Sequence, residues 1–181
     1  MSHLEKKDLS HSSNPFEAGH RKVIPAVLVY VQRGDQVLMI HRNSSSGRWN
    51  GLGGKLELNE SPVEGAAREL KEESGLSVPL SQFQPLGVLQ FPNFKPHKNE
   101  DWMVFVFTVP WEKTMAEPFQ RCEEGELHWV PAESIASLNL WPGDTHFIPL
   151  IIKRHSFIGT LWYEQENGEA KLSRVWIQTL S

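Results

Sequence analysis

Six acidic residues crowd the segment from Glu57 to Glu73, with little charge to balance them beyond Lys55, Arg68 and Lys71. Glu69, Glu72 and Glu73 among them stand at i, i+3 and i+4. On a helix that spacing puts their side chains on one face, where like charges repel unless something neutralises them. A row of carboxylate oxygens just after a glycine-rich turn suits a hard divalent cation, Mg²⁺ or Mn²⁺. The competing reading is a plain solvated face, and Glu57 and Glu64 fit that description best.

The elements that must position these acids are marked in the chain. Ser61 is a good N-cap, Pro62 suits the first helical position, and Glu64 completes a Ser-x-x-Glu capping box. Gly75 supplies the left-handed residue that closes the helix. Val63, Ala66, Ala67 and Leu70 form the apolar stripe that docks it. Upstream, Val23 to Val31 is apolar and β-branched enough for a buried strand. Gly34-Asp35 turns it, and Gln36 to Arg42 returns as its partner. In Arg48-Trp49-Asn50-Gly51-Leu52-Gly53-Gly54-Lys55 the glycines let backbone approach a ligand closely, or simply make a tight turn before the helix.

Gly54, five residues, Glu60, seven residues, then Arg68-Glu69-Leu70, Glu72-Glu73 and Gly75-Leu76 resemble the Nudix box at all nine of its fixed positions. That is far more specific than a lone glycine motif. The resemblance implies a loop-helix-loop that holds Mg²⁺ against the pyrophosphate of a nucleoside diphosphate linked to another group. Glu69, Glu72 and Glu73 match the family's metal ligands. Glu60 and Arg68 match a structural ion pair.

Further along the chain, Leu86–Phe91, Trp102–Val109 and Glu126–Val130 read as strands, with a polar loop from Pro92 to Asp101. Pro131-Ala132-Glu133-Ser134 opens a brief helix. A second helix is expected from Asp144, as N-cap, through Lys153, with Pro149 bending it or limiting its first turns. Phe157–Tyr163 and Lys171–Ile177 form a hairpin around Asn167-Gly168. Strands before and after one acidic helix, plus a second helix, make an α+β fold. The expected form is a Nudix-type α/β/α sandwich with a mixed sheet and a loop-helix-loop metal motif. Residues 1–22 read as a flexible extension and residues 23–181 as a single domain. His3, His11 and His20 in that extension read as scattered surface histidines.

Composition bounds the function classes. Hydrophobic content of 39% and charged content of 22% are ordinary for a soluble globular protein. A net charge of −4 with no basic run argues against a nucleic-acid polymer or an anionic membrane as the main partner. A small nucleotide remains compatible, because metal can screen its charge. No apolar run is long enough to span a bilayer, and no signal-peptide core is visible. The single cysteine, Cys122, fits a reducing cytoplasm and reads as a small packing side chain rather than a nucleophile. The oligomeric form is left open.

Outside the box, Arg48 to Lys55, Phe91-Pro92, Trp129-Val130-Pro131 and Trp141-Pro142-Gly143-Asp144 resemble the MutT-type branch. More narrowly, they are similar to oxidised-purine nucleoside triphosphatases of the bacterial MutX kind and their animal counterparts. That likeness runs from about Val23 to Ile177. It implies hydrolysis of a triphosphate such as 8-oxo-dGTP to a monophosphate and pyrophosphate, as in nucleotide-pool sanitation and DNA repair. Phe91 and Trp141 would wall the base, and Asn50 and Asp144 would bond its edge. Equally, Trp141 reads as a core aromatic, Asp144 as a cap and Asn50 as a turn former. One departure bears on selectivity. Some family members carry two adjacent acids where this chain has Gly143-Asp144, so a proton shared between two carboxylates is unavailable.

The mechanism expected from the acidic face places one to three Mg²⁺ ions on Glu69, Glu72, Glu73 and the Gly54 carbonyl, bridging phosphates and activating water. By resemblance Glu124 joins as a further ligand or base. The catalytic set is then Glu72, Glu73 and Glu124, with Arg42 and Lys55 neutralising phosphate charge. A nucleoside diphosphate sugar, a dinucleoside polyphosphate or an unmodified nucleotide are alternative substrates. RNA caps fit the acidic balance less well. A non-catalytic nucleotide-sensing module is the alternative from another class.

Overall fold

The structure is a computed structural model that describes residues 22–44, 46–95, 98–166 and 169–180. The histidines at 3, 11 and 20 and all but the last residue of the expected extension lie outside the described residues. Lys22, placed in that extension from the sequence, opens the first strand.

Among the described residues eight strands form one mixed sheet: β1 Lys22–Arg33, β2 Gln36–Arg42, β3 Trp49–Asn50, β4 Gln84–Lys95, β5 Glu100–Pro110, β6 Gly125–Pro131, β7 Phe157–Glu166 and β8 Glu169–Thr179. The order runs β3-β2-β1-β5-β4-β7-β8, with β6 paired to β2. β1 with β5 and β4 with β7 are parallel, and the remaining pairs are antiparallel. Helix α1 spans Pro62–Ser74 and helix α2 spans Asp144–Ile152.

Alternation along β1 assigns one helix to each face, because successive side chains of a strand point to opposite sides. Val27, Val29 and Val31 pack with Ala66 and Leu70 of α1. Ala26 and Tyr30 join Phe147, Ile148 and Ile151 of α2 in a second cluster. The α/β/α sandwich expected from the sequence is therefore the architecture. The α1 boundaries also follow their signals. Ser61 and Glu64 form both halves of the capping box, and Gly75 is left-handed at φ 76°.

β1 and β2 pair only at Gln32 with Val37 and Arg33 with Gln36, and then part. The glycine-rich segment fills the opening. Leu52 N–H donates to Val29 O at 3.1 Å and Leu52 O accepts from Val29 N–H at 2.7 Å. Gly54 O accepts from Val27 N–H at 2.8 Å, and Leu56 N–H donates to Pro25 O at 3.0 Å. The turn before α1 is thus stitched along β1 like a short strand.

Three expectations need correction. The loop from Pro92 to Asp101 is shorter than expected, because β4 runs on to Lys95 and β5 starts at Glu100. The register shifts between Phe91 and Lys95, where Asn93 is left-handed at φ 60° and its N–H donates to Asp101 Oδ1 at 2.6 Å. That bulge carries Phe94 among the aromatics described below. Asp144 is not an N-cap: Gly143 holds that position without a side-chain bond, and Asp144 is the first helical residue. The hairpin strands β7 and β8 are longer than expected, and the tip at Asn167-Gly168 lies outside the described residues. Pro149 lies inside α2, which ends at Ile152. Among the described residues no helix is long and apolar enough to cross a membrane.

Leu70 is fully buried between α1 and the sheet. Leu70→Ala is expected to lower unfolding free energy by about 2–5 kcal/mol in denaturant titration, as other buried leucine truncations do. A loss below about 1 kcal/mol would mean that α1 is not docked by this stripe.

Candidate active site in the cleft beside the glycine-rich turn

Arg68 sits at the centre of the acidic face. Its guanidinium donates to Glu60 Oε1 and Oε2 at 2.7 and 3.0 Å, to Glu69 Oε1 at 2.9 Å and to Glu72 Oε2 at 3.1 Å. It also donates to Lys55 O at 3.0 Å, which ties the helix to the preceding turn. The Glu60–Arg68 pair is bidentate, the geometry in which such pairs are strongest. Arg68 holds the Glu60 carboxyl below its ordinary pKa.

The three glutamates of α1 do not share one environment. Glu69 is buried, and its carboxylate fills the space that a Cβ at Gly54 would occupy. Glu73 is buried with Oε2 accepting Gly53 N–H at 2.7 Å. Its Oε1 lies 3.2 Å from Arg42 Nη1, yet the angle makes no hydrogen bond and that oxygen stays unsatisfied. Burial pushes the Glu73 carboxyl up to about 7, Arg42 and the Gly53 N–H pull it back, and Glu69 and Glu72 raise it further. Glu72 is the exposed member, its side chain 59% accessible. From a separate loop Glu124 pairs with Arg42, which also donates to Gly53 O at 3.3 Å.

Among the described residues, no three acidic, histidine or cysteine side chains form a ready-made metal cluster. The charge on the acidic face is instead neutralised by Arg42 and Arg68. The donor set nevertheless fits a hard divalent cation. Its groups are all oxygen, Glu73 Oε1 is a buried carboxylate oxygen that accepts no hydrogen bond, and Gly53-Gly54 brings backbone to within contact of two carboxylates. An ion would take over the neutralisation that the two arginines supply. Of the two glycine carbonyls, that of Gly54 is committed to Val27 N–H, whereas that of Gly53 faces Arg42.

A cleft of about 1170 Å³ joins this acidic corner to an aromatic one. All six expected substrate residues line it: Arg42, Asn50, Lys55, Phe91, Trp141 and Asp144. Gly54, Glu69 and Glu124 line it as well, while Glu72 and Glu73 do not. Phe94 organises the aromatic end. Its ring centroid is 5.6 Å from Trp141, 5.7 Å from both Phe91 and Trp102, and 5.4 Å from Tyr163. Trp141 is half-buried beside the cleft, with the Arg48 guanidinium 4.7 Å from its ring centre. Lys55 and Lys95 flank Trp102 at 5.5 and 4.7 Å. The Asn50 side chain accepts the Gly51 N–H at 2.9 Å, so it shapes its turn while lining the cleft.

Asp144 is 5% exposed, and its Oδ2 has no hydrogen-bond partner. Burial pushes its carboxyl up to about 8, with Arg48 pulling the other way. Beside it the Tyr163 hydroxyl accepts Gly143 N–H at 3.1 Å. Phe94, Trp102, Lys95 and Tyr163 are cleft residues that nothing in the sequence singles out. Each reads as an ordinary strand or loop position, and only the bulge in β4 and the pairing of β4 with β5 and β7 bring them together. Cys122 packs against the Leu127 cluster and does not line the cleft, and burial raises its thiol, which suits a packing residue rather than a nucleophile.

A family model described as NUDIX domain matches residues 22–151. The oxidized purine nucleoside triphosphate hydrolase of Mus musculus is 32% identical over 142 residues, covering 77% of this chain and 86% of the mouse protein. An uncharacterized Nudix hydrolase of Bacillus subtilis, YvcI, is 30% identical over 138 residues, covering 75% of this chain and 84% of the relative. Among solved structures, a MutT protein from Bacillus halodurans superposes with a TM-score of 0.73 at 24% identity, covering 85% of this chain and 97% of that one.

The buried Asp144 carries a pH dependence. Its folded-state pKa of about 8 lies above its ordinary value of 3.8, so the native state holds the proton more tightly than the unfolded chain. Stability from this group is full below about pH 4 and is lost as pH rises towards 8. Measured against Asp144→Asn, which cannot ionise, the wild type is expected to lose up to about 1.4 kcal/mol per pH unit across that window. A difference between the two proteins that stays constant from pH 4 to 8 would show an ordinary carboxylate.

Proposed function

The chain belongs to the Nudix family of hydrolases, and from that premise we propose that it hydrolyses a nucleoside triphosphate to the monophosphate and pyrophosphate. The base is an oxidised purine, as in 8-oxo-dGTP, and the role is clearance of damaged nucleotides from the pool. The observation that carries this reading is the continuity of one cleft from a carboxylate–arginine corner to an aromatic wall. A nucleotide needs both: fixed charge for its phosphates and flat apolar surface for its base. The name of the mouse relative points to the same substrate class.

Glu69, Glu72, Glu73 and Glu124, with the Gly54 carbonyl, would hold the divalent ion, Mg²⁺ or alternatively Mn²⁺. Such an ion polarises phosphate oxygens and acidifies bound water. The remaining work falls to the chain itself. Arg42 and Lys55 both line the cleft and offset phosphate charge once the carboxylates are otherwise engaged. By resemblance Glu124 is the further ligand or the base that takes a proton from the attacking water, with Glu72 and Glu73 completing the catalytic set. Phe91 and Trp141 wall the base, while Asn50 and Asp144 face its edge. A small nucleotide rather than a nucleic-acid polymer is the partner. The reducing cytoplasm suits the lone Cys122 thiol.

The test is a metal-dependent hydrolysis screen over 8-oxo-dGTP, dGTP, ADP-ribose and a dinucleoside tetraphosphate, with products identified. Monophosphate and pyrophosphate from 8-oxo-dGTP are expected, and chelation should abolish them. Sugar phosphate from ADP-ribose as the main product would move the substrate to the sugar-nucleotide class. Glu72→Gln and Glu73→Gln should each lower turnover by orders of magnitude while circular dichroism stays native. Near-normal turnover in both variants would remove the acidic face from the chemistry.

A further inference from the structure

Gly143, where some relatives by resemblance carry an acid, is the starting point. A Cβ at this position would run into the Tyr163 hydroxyl and Leu161 Cδ2. The missing acid and the tyrosine therefore go together: the phenol occupies the space that a side chain at 143 would need. Tyr163 is 2% exposed as a residue, yet it lines the cleft beside Phe91 and Asp144.

The hydrogen bonding around that hydroxyl is half complete. Its oxygen accepts Gly143 N–H at 3.1 Å, and among the described residues no acceptor takes its proton. Asp144 Oδ2, on the neighbouring residue, also lacks a partner. Two buried polar groups thus face the base end of the cleft with bonds still to make. Buried groups of this kind are normally satisfied by a ligand or by water.

Resting on the proposed nucleotide reading, we propose that Tyr163 is a specificity-determining residue whose hydroxyl, held by Gly143 N–H, donates a hydrogen bond to the 6-oxo oxygen of a purine base. A 6-oxopurine edge presents an acceptor at O6 followed by the N1–H donor. That matches a phenol donor standing next to a carboxyl group. A 6-aminopurine presents a donor at the first of these places, which leaves the phenol proton without an acceptor.

The phenol also makes the recognition fixed. A carboxyl at position 143 could donate or accept according to its protonation. Tyr163 is held protonated, because burial and the neighbouring Asp144 both push its ionisation well above the ordinary phenol range. Its oxygen already accepts the Gly143 N–H, so its proton is what it offers to a ligand. An acceptor at this position of the base completes that pair, whereas a donor leaves the phenol proton without a partner.

The experiment compares kcat/KM for 8-oxo-dGTP and 8-oxo-dATP, which share the oxidised imidazole edge and differ on the six-membered ring. Wild type should favour 8-oxo-dGTP. Tyr163→Phe should shrink that preference roughly ten- to hundredfold, mainly through loss on 8-oxo-dGTP, with Tm close to wild type. Gly143→Ala, which displaces the hydroxyl from the other side, should shrink the same ratio. A ratio unchanged in both variants overturns the proposal, whether the two activities fall equally or not at all, since equal losses mark a merely structural tyrosine. Hydrolysis of neither nucleotide by wild type overturns the nucleotide reading and this proposal with it. Hydrolysis of both with an unmoved ratio overturns this proposal alone.

Discussion

Negative charge gathered on one side of α1 must be balanced, and much of the surrounding structure is arranged to do so. Arg68 spans Glu60, Glu69 and Glu72 from within the helix, and Arg42 reaches Glu73 and Glu124 from the end of β2. Neither arginine removes the underlying tension. Glu73 keeps one oxygen unsatisfied and a proton affinity well above that of an ordinary carboxylate. Buried carboxylates in this condition are costly unless another cation shares the load. A divalent ion seated there would share that load with the two arginines.

β1 connects this corner to the rest of the molecule. Its two faces serve the two helices, one edge takes β5, and the other takes first β2 and then the glycine-rich turn. Because the turn is bonded to a central strand, Gly53 and Gly54 are as well placed as sheet residues. Catalytic groups held on rigid elements keep their geometry more reliably than groups on free loops. The aromatic end depends on the sheet in the same way: Phe91, Phe94 and Trp102 come from β4 and β5, and Tyr163 from β7.

What was legible in the sequence was local. The capping box, the closing glycine and the apolar stripe of α1 involve residues within a few positions of one another, and each appears as read. The six cleft residues were reached through the resemblance to the MutT-type branch and through their residue types rather than through any contact. What was not legible depends on pairing between distant strands. Phe94 looked like loop because a left-handed Asn93 and a bulge cannot be seen in a polar run. Asp144 looked like a cap because aspartate before a hydrophobic run usually is one, whereas burial beside Trp141 and Tyr30 gives it another setting. The exchange of an acid for glycine at position 143 made sense only once β7 brought Tyr163 across.

The stitching of residues 52–56 along β1 also limits how this chain can vary. Connecting segments usually tolerate added or lost residues, because their ends are held and their middles are free. Here the middle is held. Leu52 and Gly54 bond alternate residues of β1, so a single inserted residue would turn Leu52 out of the interior and shift Gly54 away from Glu69. Lineages descended from such a sequence are expected to accept length changes after Arg42, around Ser44 to Gly47, and almost none between Gly51 and Leu56.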